Sequence, residues 1–324
     1  MTVELQAQPA PDGSKAASFT PPPITSLSNV AYLVGHPIAH SSSPKLHDTI
    51  SLSSGIPYAQ ILAETADLES FMAYIRAHPP IPRLLGSGVT MPHKVSVLPY
   101  LDHITPEAQA VGAVNTIFFR KNDLRERQFW GTNTDTIGIR DAFLNNLSEG
   151  VVERCRGRPG LIVGGGGTCR AAIYALERYL GCSMIYIINR DKKEVEGVIK
   201  DSQSNLEIRH IVSVEEAEGR EGPGLVISAI PDFEPITPSE IGVRDILKSF
   251  LSRQPKEARE AVLEMCYHPS PDTRITRLAE WCGWRVIGGL EAMIAQGLEQ
   301  AKLWTGIEVD ESLRAAARAA VLPR

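Results

Sequence analysis

The stretch from Leu161 to Leu180 constrains the fold of this chain more than any other. Leu161-Ile162-Val163 is a short apolar run, Gly164 to Gly167 are four consecutive glycines, and Ala172, Ile173, Leu176 and Leu180 then recur at helical spacing. A strand, a glycine turn and a helix in that order expose backbone N–H groups at the helix N-terminus, with no side chain in the way. Such a turn accepts a pyrophosphate, because the helix end carries unpaired donors and partial positive charge. The spacing is Gly-x-Gly-Gly rather than the full Gly-x-Gly-x-x-Gly, since Cys169 stands at the sixth position and Ala171 follows. A dinucleotide site is the leading reading. A turn for S-adenosylmethionine and a merely tight glycine turn stay open at this point.

The flanking pattern fits a parallel sheet buried on both faces. Met184–Ile188, Leu225–Ser228 and Ala261–Leu263 are continuous apolar strands separated by turns and helical stretches. Upstream, a second α/β pattern runs from Val30–Val34 (strand) through a helix opened by Ser43-Pro44, with Leu46 and Ile50 on one face. Tyr58–Leu62 (strand), Leu68–Ala77 (helix), and strands at Gly88–Thr90 and Ala113–Phe119 follow. Thr136–Leu147 reads as a helix leaving this region, and Gly157-Arg158-Pro159-Gly160 breaks the chain after it. Leu290–Trp304 and Ser312–Val321 read as closing helices, and no internal repeat is present. Pro9, Pro11, Pro21, Pro22 and Pro23 mark residues 1–27 as a flexible tail. Two α/β domains are the expectation for 324 residues.

Composition excludes some partners. Lys+Arg 33 against Asp+Glu 38 leaves a net charge of −5, which disfavours a nucleic-acid-coating surface. No apolar run approaches the roughly 18 residues of a membrane span, and the N-terminus lacks a basic stretch followed by an apolar block. The five cysteines (Cys155, Cys169, Cys182, Cys266, Cys282) are odd in number and show no Cys-x-x-Cys spacing. A disulfide framework is not expected, and a reducing cytoplasm is the simplest home. The eight histidines include no His-Glu-x-x-His, and His36 and His40 flank Pro37 with no carboxylate at ligand spacing, so no metal is expected.

Three clusters carry chemistry. Asp191 lies 27 residues after Gly164, close to where a carboxylate grips the ribose 2′-OH of NAD and repels the 2′-phosphate of NADP. Arg190, Lys192 and Lys193 beside it could instead clamp that phosphate or form a solvated helix face. Gly88-Val89-Thr90-Met91-Pro92-His93-Lys94 presents Lys94 where a strand ends, and Gly131-Thr132-Asn133-Thr134-Asp135 precedes a helix. Alcohol oxidation needs a group to take the hydroxyl proton, and a lysine oriented by a carboxylate can do so. The plain alternatives are a surface Lys94 and an Asp135 that only caps its helix.

Gly35-His36-Pro37-Ile38-Ala39-His40-Ser41-Ser42-Ser43-Pro44 resembles the Gly-x-Pro-Ile-x-His-Ser-x-Ser-Pro signature of shikimate/quinate dehydrogenases. Val89-Thr90-Met91-Pro92-His93-Lys94 is similar to their Val-Thr-x-Pro-x-Lys. Gly112 to Thr116, Asn133-Thr134-Asp135, the glycine turn, Asn189-Arg190, Met265-Cys266-Tyr267 and Gln296 follow in the family's order, from about Val30 to Gly306. Three positions depart from the pattern. Gly88 stands where Asn is common, Ser228-Ala229-Ile230-Pro231 replaces Asn-x-Thr-Pro, and Gly289-Leu290-Glu291-Ala292-Met293 replaces Gly-x-x-Met-Leu.

The resemblance implies an α/β fold with an N-terminal substrate domain, residues 28–135 and 288–324, and a Rossmann-like NAD(P)-binding domain, residues 136–287, the C-terminal helices returning to the first domain. It implies Lys94 and Asp135 as the catalytic pair. Ser41 and Ser43 would hold the substrate carboxylate with Tyr267 nearby, and Thr90, Asn115 and Gln296 would bind the ring hydroxyls. Gly164, Gly166, Gly167, Asn189, Arg190, Asp191 and Gly289 would bind the cofactor, NAD, with NADP the alternative. The implied reaction is oxidation of quinate, with shikimate a second small-molecule substrate, by a monomer or homodimer. The rivals are an NADP-dependent shikimate dehydrogenase and a metabolite sensor without turnover.

Overall fold

The computed structural model describes residues 28–78, 82–121, 126–255 and 258–322, so the expected tail at 1–27 lies outside the described residues. The first sheet contains β1 (Asn29–Gly35), β2 (Ala59–Glu64), β3 (Arg83–Val89), β4 (His103–Ile104), β5 (Thr116–Lys121) and β6 (Arg127–Thr132), in the order β2-β1-β3-β5-β6-β4. β1 is parallel to β2 and β3, whereas β5 is antiparallel to both β3 and β6. Helices α1 (Ser43–Ser54), α2 (Leu68–Arg76) and α3 (Pro106–Val111) connect these strands. Alternation along β1 splits the core. Val30, Tyr32 and Val34 join Phe71, Met72 and Ile75 of α2, while Ala31 faces Leu46 and Ile50 of α1.

After α4 (Asp135–Asn146) and α5 (Glu149–Cys155) the chain enters a second sheet. Its strands are β7 (Gly160–Val163), β8 (Ile185–Ile188), β9 (Ile208–His210), β10 (Leu225–Ser228), β11 (Ala261–Glu264) and β12 (Arg285–Gly288). They are all parallel in the order β12-β11-β10-β7-β8-β9. The intervening helices are α6 (Gly167–Arg178), α7 (Lys192–Asp201), α8 (Val214–Glu218), α9 (Pro238–Arg253) and α10 (Arg274–Trp281). Strand order reverses between β7 and β10, and the crevice beyond their carboxyl ends is where such sheets bind ligands. The glycine turn follows β7 and therefore opens into that crevice.

Two of the differences from the sequence expectation lie in the β5–β6 half of the first sheet. The strand expected at Ala113 begins at Thr116, because Ala113 and Val114 are buried in a loop instead; the Val114 N–H donates to the Lys94 carbonyl at 2.7 Å. The end of β5 and its partner β6 are hidden by their charges. Arg120 lies over the Trp130 ring at 4.6 Å and Arg127 over Phe119 at 5.1 Å, so these cations cover aromatic faces within the strands. Among the described residues no helix is long and apolar enough to cross a membrane.

The closing helices, α11 (Gly289–Thr305) and α12 (Glu311–Val321), return to the first sheet. Leu290, Ile294 and Leu298 of α11 and Leu313 and Ala317 of α12 join the core around α1. Close approach requires small residues. A Cβ at Gly138 of α4 would lie 2.6 Å from the Ala292 carbonyl oxygen and 3.1 Å from Gln296 Cβ, and one at Gly86 would lie 2.2 Å from Trp304 Nε1. Gly138→Ala must push α4 and α11 apart, so it is expected to destabilise the protein by about 1–3 kcal/mol in denaturant unfolding. An unchanged unfolding midpoint would show that the crossing yields without cost.

Candidate active site

The loop after β3, the start of α4 and the face of α11 converge on one cavity of about 310 Å³. Lys94 follows the turn Met91-Pro92-His93, whose His93 ring nitrogen lies 2.8 Å from the Thr65 carbonyl and anchors the loop. Lys94 Nζ donates to Asp135 Oδ2 at 2.5 Å, with both side chains largely buried. Asp135 is the first residue of α4, not its N-cap; Thr134 holds that position and makes no side-chain cap. The Asp135 carboxylate is therefore free for Lys94 and for Asn115 Nδ2, which donates to Oδ1 at 2.8 Å. A buried carboxylate with a cation on one oxygen and an amide on the other is compensated on both sides.

All eight catalytic and substrate residues expected from the sequence line this cavity: Ser41, Ser43, Thr90, Lys94, Asn115, Asp135, Tyr267 and Gln296, joined by Gly289. Ser43 and Pro44 were expected to cap α1, but Ser42 occupies the cap without a side-chain hydrogen bond, which leaves Ser43 facing the cavity. Burial pushes the Tyr267 phenol up, so it stays a protonated donor. His40 and His268 stack with ring centroids 4.0 Å apart, joining the loop before α1 to the loop after β11. Gln300, absent from the sequence expectation, also lines the cavity. Its signal was available, since Gln296 and Gln300 lie one helical turn apart and share a face.

Met91 lines both this cavity and a second groove of about 300 Å³ at the carboxyl ends of β7 and β10. Gly164, Gly166, Asn189 and Arg190 line the groove as expected. Gly164 has φ 130°, a left-handed value that favours glycine. A Cβ at Gly165 would lie 2.3 Å from Asn189 Nδ2. Gly166 is the N-cap of α6 and no side chain caps it, so the helix end is open to an anion. Gly167 has a different duty from its neighbours: a Cβ there would lie 3.3 Å from Lys94 Cδ, so the Lys94 stem rests against the start of α6.

Asp191 is not brought into the groove lining; its Oδ1 accepts the N–H groups of Lys193 and Glu194 and caps α7. Two carboxylates line the groove: Glu194, which accepts from Asn189 Nδ2 at 2.6 Å, and Glu240. Arg190 pairs with Glu240 and lies over the Phe233 ring, and Lys192 pairs with Glu196 at 3.6 Å. Arg244 lines the groove, and its two terminal guanidinium nitrogens are buried with no hydrogen-bond partner among the described residues, as is Glu264 Oε2. An open helix end, a glycine cradle and an orphaned guanidinium fit a nicotinamide dinucleotide.

Comparison with known proteins agrees with this geometry. The model of the shikimate dehydrogenase substrate binding domain matches residues 33–117. The quinate dehydrogenase of Emericella nidulans is 45% identical over 300 residues, covering 88% of this chain and 90% of that one. The dehydroquinate dehydratase and shikimate dehydrogenase AroM of S. pombe superposes with a TM-score of 0.69 at 32% identity; 89% of this chain is covered, and it spans 52% of that longer one. The shikimate 5-dehydrogenase of Thermus thermophilus, solved in complex with NADP(H) and shikimate, has a TM-score of 0.67 at 27% identity, covering 90% and 99% of the two chains.

Burial pushes the Glu264 carboxyl up to about 7, opposed by the Cys266 N–H and the Arg244 charge. A raised carboxyl pKa stabilises the fold at low pH and loses that contribution as pH rises from the unfolded value of about 4.5 through about 7. Glu264→Gln keeps the acceptor for Cys266 without the buried charge. Its melting temperature is expected to exceed the parent's at pH 8 and to match it near pH 4; equal melting temperatures at both pH values would contradict this.

Proposed function

Because the chain belongs to the shikimate/quinate dehydrogenase family, we propose that it oxidises quinate at one ring hydroxyl to 3-dehydroquinate, with NAD as its preferred acceptor and shikimate as a second substrate. It is an oxidoreductase. The observation that carries the reading is the Lys94–Asp135 pair, set in the cavity wall with the Lys94 stem against the start of the phosphate-cradling helix. A substrate hydroxyl beside Lys94 Nζ passes its proton to Lys94 as Lys94 hands one of its own to Asp135 Oδ2, and Asp135 keeps the lysine aimed at the hydroxyl. The cofactor supplies the hydride acceptor when bound. Ser41, Ser43 and Tyr267 offer neutral donors to the substrate carboxylate, and Thr90, Asn115 and Gln296 offer donors and acceptors to ring hydroxyls. Such a set rejects an analogue that leaves one of them unpaired.

The preference for NAD rests on charge around the groove. Glu194 lies against Gly165, Asp191 stands exposed at the start of α7, and Glu240 holds Arg190. A 2′-phosphate brought there meets carboxylates, and Arg190 is already paired with one of them. The two sheets also support division into a substrate unit, residues 28–135 and 288–324, and a dinucleotide unit, residues 136–287. The first sheet falls wholly in the former, and the second falls in the latter apart from the last residue of β12.

Removing Lys94 tests the chemistry directly. Lys94→Ala is expected to lower kcat for quinate oxidation by roughly 10²- to 10⁴-fold, with quinate binding by calorimetry retained. Near-normal turnover would remove Lys94 from the reaction. Ser43→Ala should instead raise KM with little change in kcat; a large kcat loss with KM unchanged would contradict its place at the carboxylate.

A further inference from the structure

Behind the cavity wall lies a continuous line of buried polar groups, of which the reaction above uses only the last two, Asn115 and Asp135. It starts at Tyr58, whose hydroxyl is 2.8 Å from His47 Nδ1. His47 Nε2 is 3.2 Å from Gln300 Oε1, and Gln300 Nε2 donates to Thr116 Oγ1 at 2.9 Å. Thr116 Oγ1 donates to Asn115 Oδ1 at 2.8 Å, and Asn115 Nδ2 donates to Asp135 Oδ1. His47, Tyr58, Thr116, Asn115 and Gln300 are all buried. The line draws on α1, β5 and α11, on the residue preceding β2, and on the loop before β5.

Its direction follows from chemistry at one end. Heavy-atom positions alone do not distinguish the two ends of an amide. Asn115 Oδ1, however, receives the backbone N–H of Thr134 at 2.7 Å, and a backbone N–H can only donate. Asn115 Nδ2 therefore faces the Asp135 carboxylate, which can only accept when ionised. Thr116 Oγ1 lies 2.8 Å from Asn115 Oδ1 and 3.2 Å from Thr134 Oγ1, and the shorter contact takes its proton; Gln300 Nε2, which also faces the Asn115 carbonyl at 3.4 Å, then donates to Thr116 Oγ1. That turns Gln300 Oε1 towards His47, so Nε2 carries the imidazole proton and bare Nδ1 accepts the Tyr58 hydroxyl. Burial pushes His47 down to about 4, consistent with the single proton this arrangement requires. The ring is held by Trp304, with centroids 4.9 Å apart.

We propose that Tyr58, His47, Gln300 and Thr116 form one directed hydrogen-bond chain, every donor pointing towards Asp135, that fixes Asn115 as a donor and thereby positions the Lys94–Asp135 pair. Aligned bonds in a low-dielectric interior polarise one another towards the acceptor at the end. The four are positioning residues, acting through Asn115. The proposal rests on Lys94 and Asp135 as the reacting pair.

The chain is cut in its middle by Thr116→Val, which keeps shape and removes the hydroxyl away from the cavity lining. Expected is a kcat loss of about tenfold to a hundredfold with KM within about twofold of the parent, reversed largely by Thr116→Ser. A kcat unchanged in folded Thr116→Val, or a change in KM alone, overturns the proposal, because a merely structural threonine would move only the melting temperature. The second measurement needs no variant and no turnover. Imidazole nitrogen NMR shifts of His47 in the unmodified protein should show a neutral ring protonated at Nε2; protonation at Nδ1 overturns the direction. If the parent oxidises neither quinate nor shikimate, the functional reading fails while the tautomer still tests the chain. If Thr116→Val does not fold, the tautomer decides alone.

Discussion

The 2.5 Å contact between Lys94 and Asp135 organises the rest of the molecule. Two opposite charges can stay largely out of water only where each is also held by other groups. Asp135 has Asn115 on its second oxygen, and Lys94 has its stem on Gly167 and its carbonyl bonded to the Val114 N–H. Those supports come from the loop after β3, the loop before β5, the start of α4 and the start of α6. The pair is thus also a joint between the two sheets, and in the proposed reaction moving either sheet displaces the proton-accepting atom. The tight crossing of α4 and α11 at Gly138 serves the same geometry, since it sets Gln296 against Asn115 and Thr134.

Much of the fold was legible because buried parallel strands are continuous apolar runs. β1, β7, β8, β10 and β11 all stand out in this way. Most of β5 is legible, but its end and its partner β6 are hidden by Arg120 and Arg127, cations that cover aromatic faces. Short charged helices such as α7 and α8 carry too few apolar residues for a period to show. Helix α9 carries a signal of its own, the Thr237–Glu240 capping box, though a periodicity reading passes over it. In the site, motif residues are visible because each side chain suggests a chemical duty. Glu194 is not, because one more charge on a helix rich in charge looks solvated until the fold turns it against Gly165.

A net charge of −5 means that binding of anionic partners depends on local donors. The cavity supplies neutral hydroxyls and amides around one lysine, and the groove supplies an open helix end. Two acidic side chains, Glu194 and Glu240, also line that groove, and the proposed preference for NAD rests on them. Glu194 and Glu240 hold Asn189 and Arg190 in place.

The most direct test is steady-state oxidation by the unmodified protein with quinate or shikimate, each paired with NAD or NADP. Lys94–Asp135 chemistry in an acidic cofactor groove gives the highest kcat/KM with quinate and NAD, and NAD favoured over NADP for both substrates. A preference for NADP, or oxidation of neither substrate with either cofactor, would contradict the account.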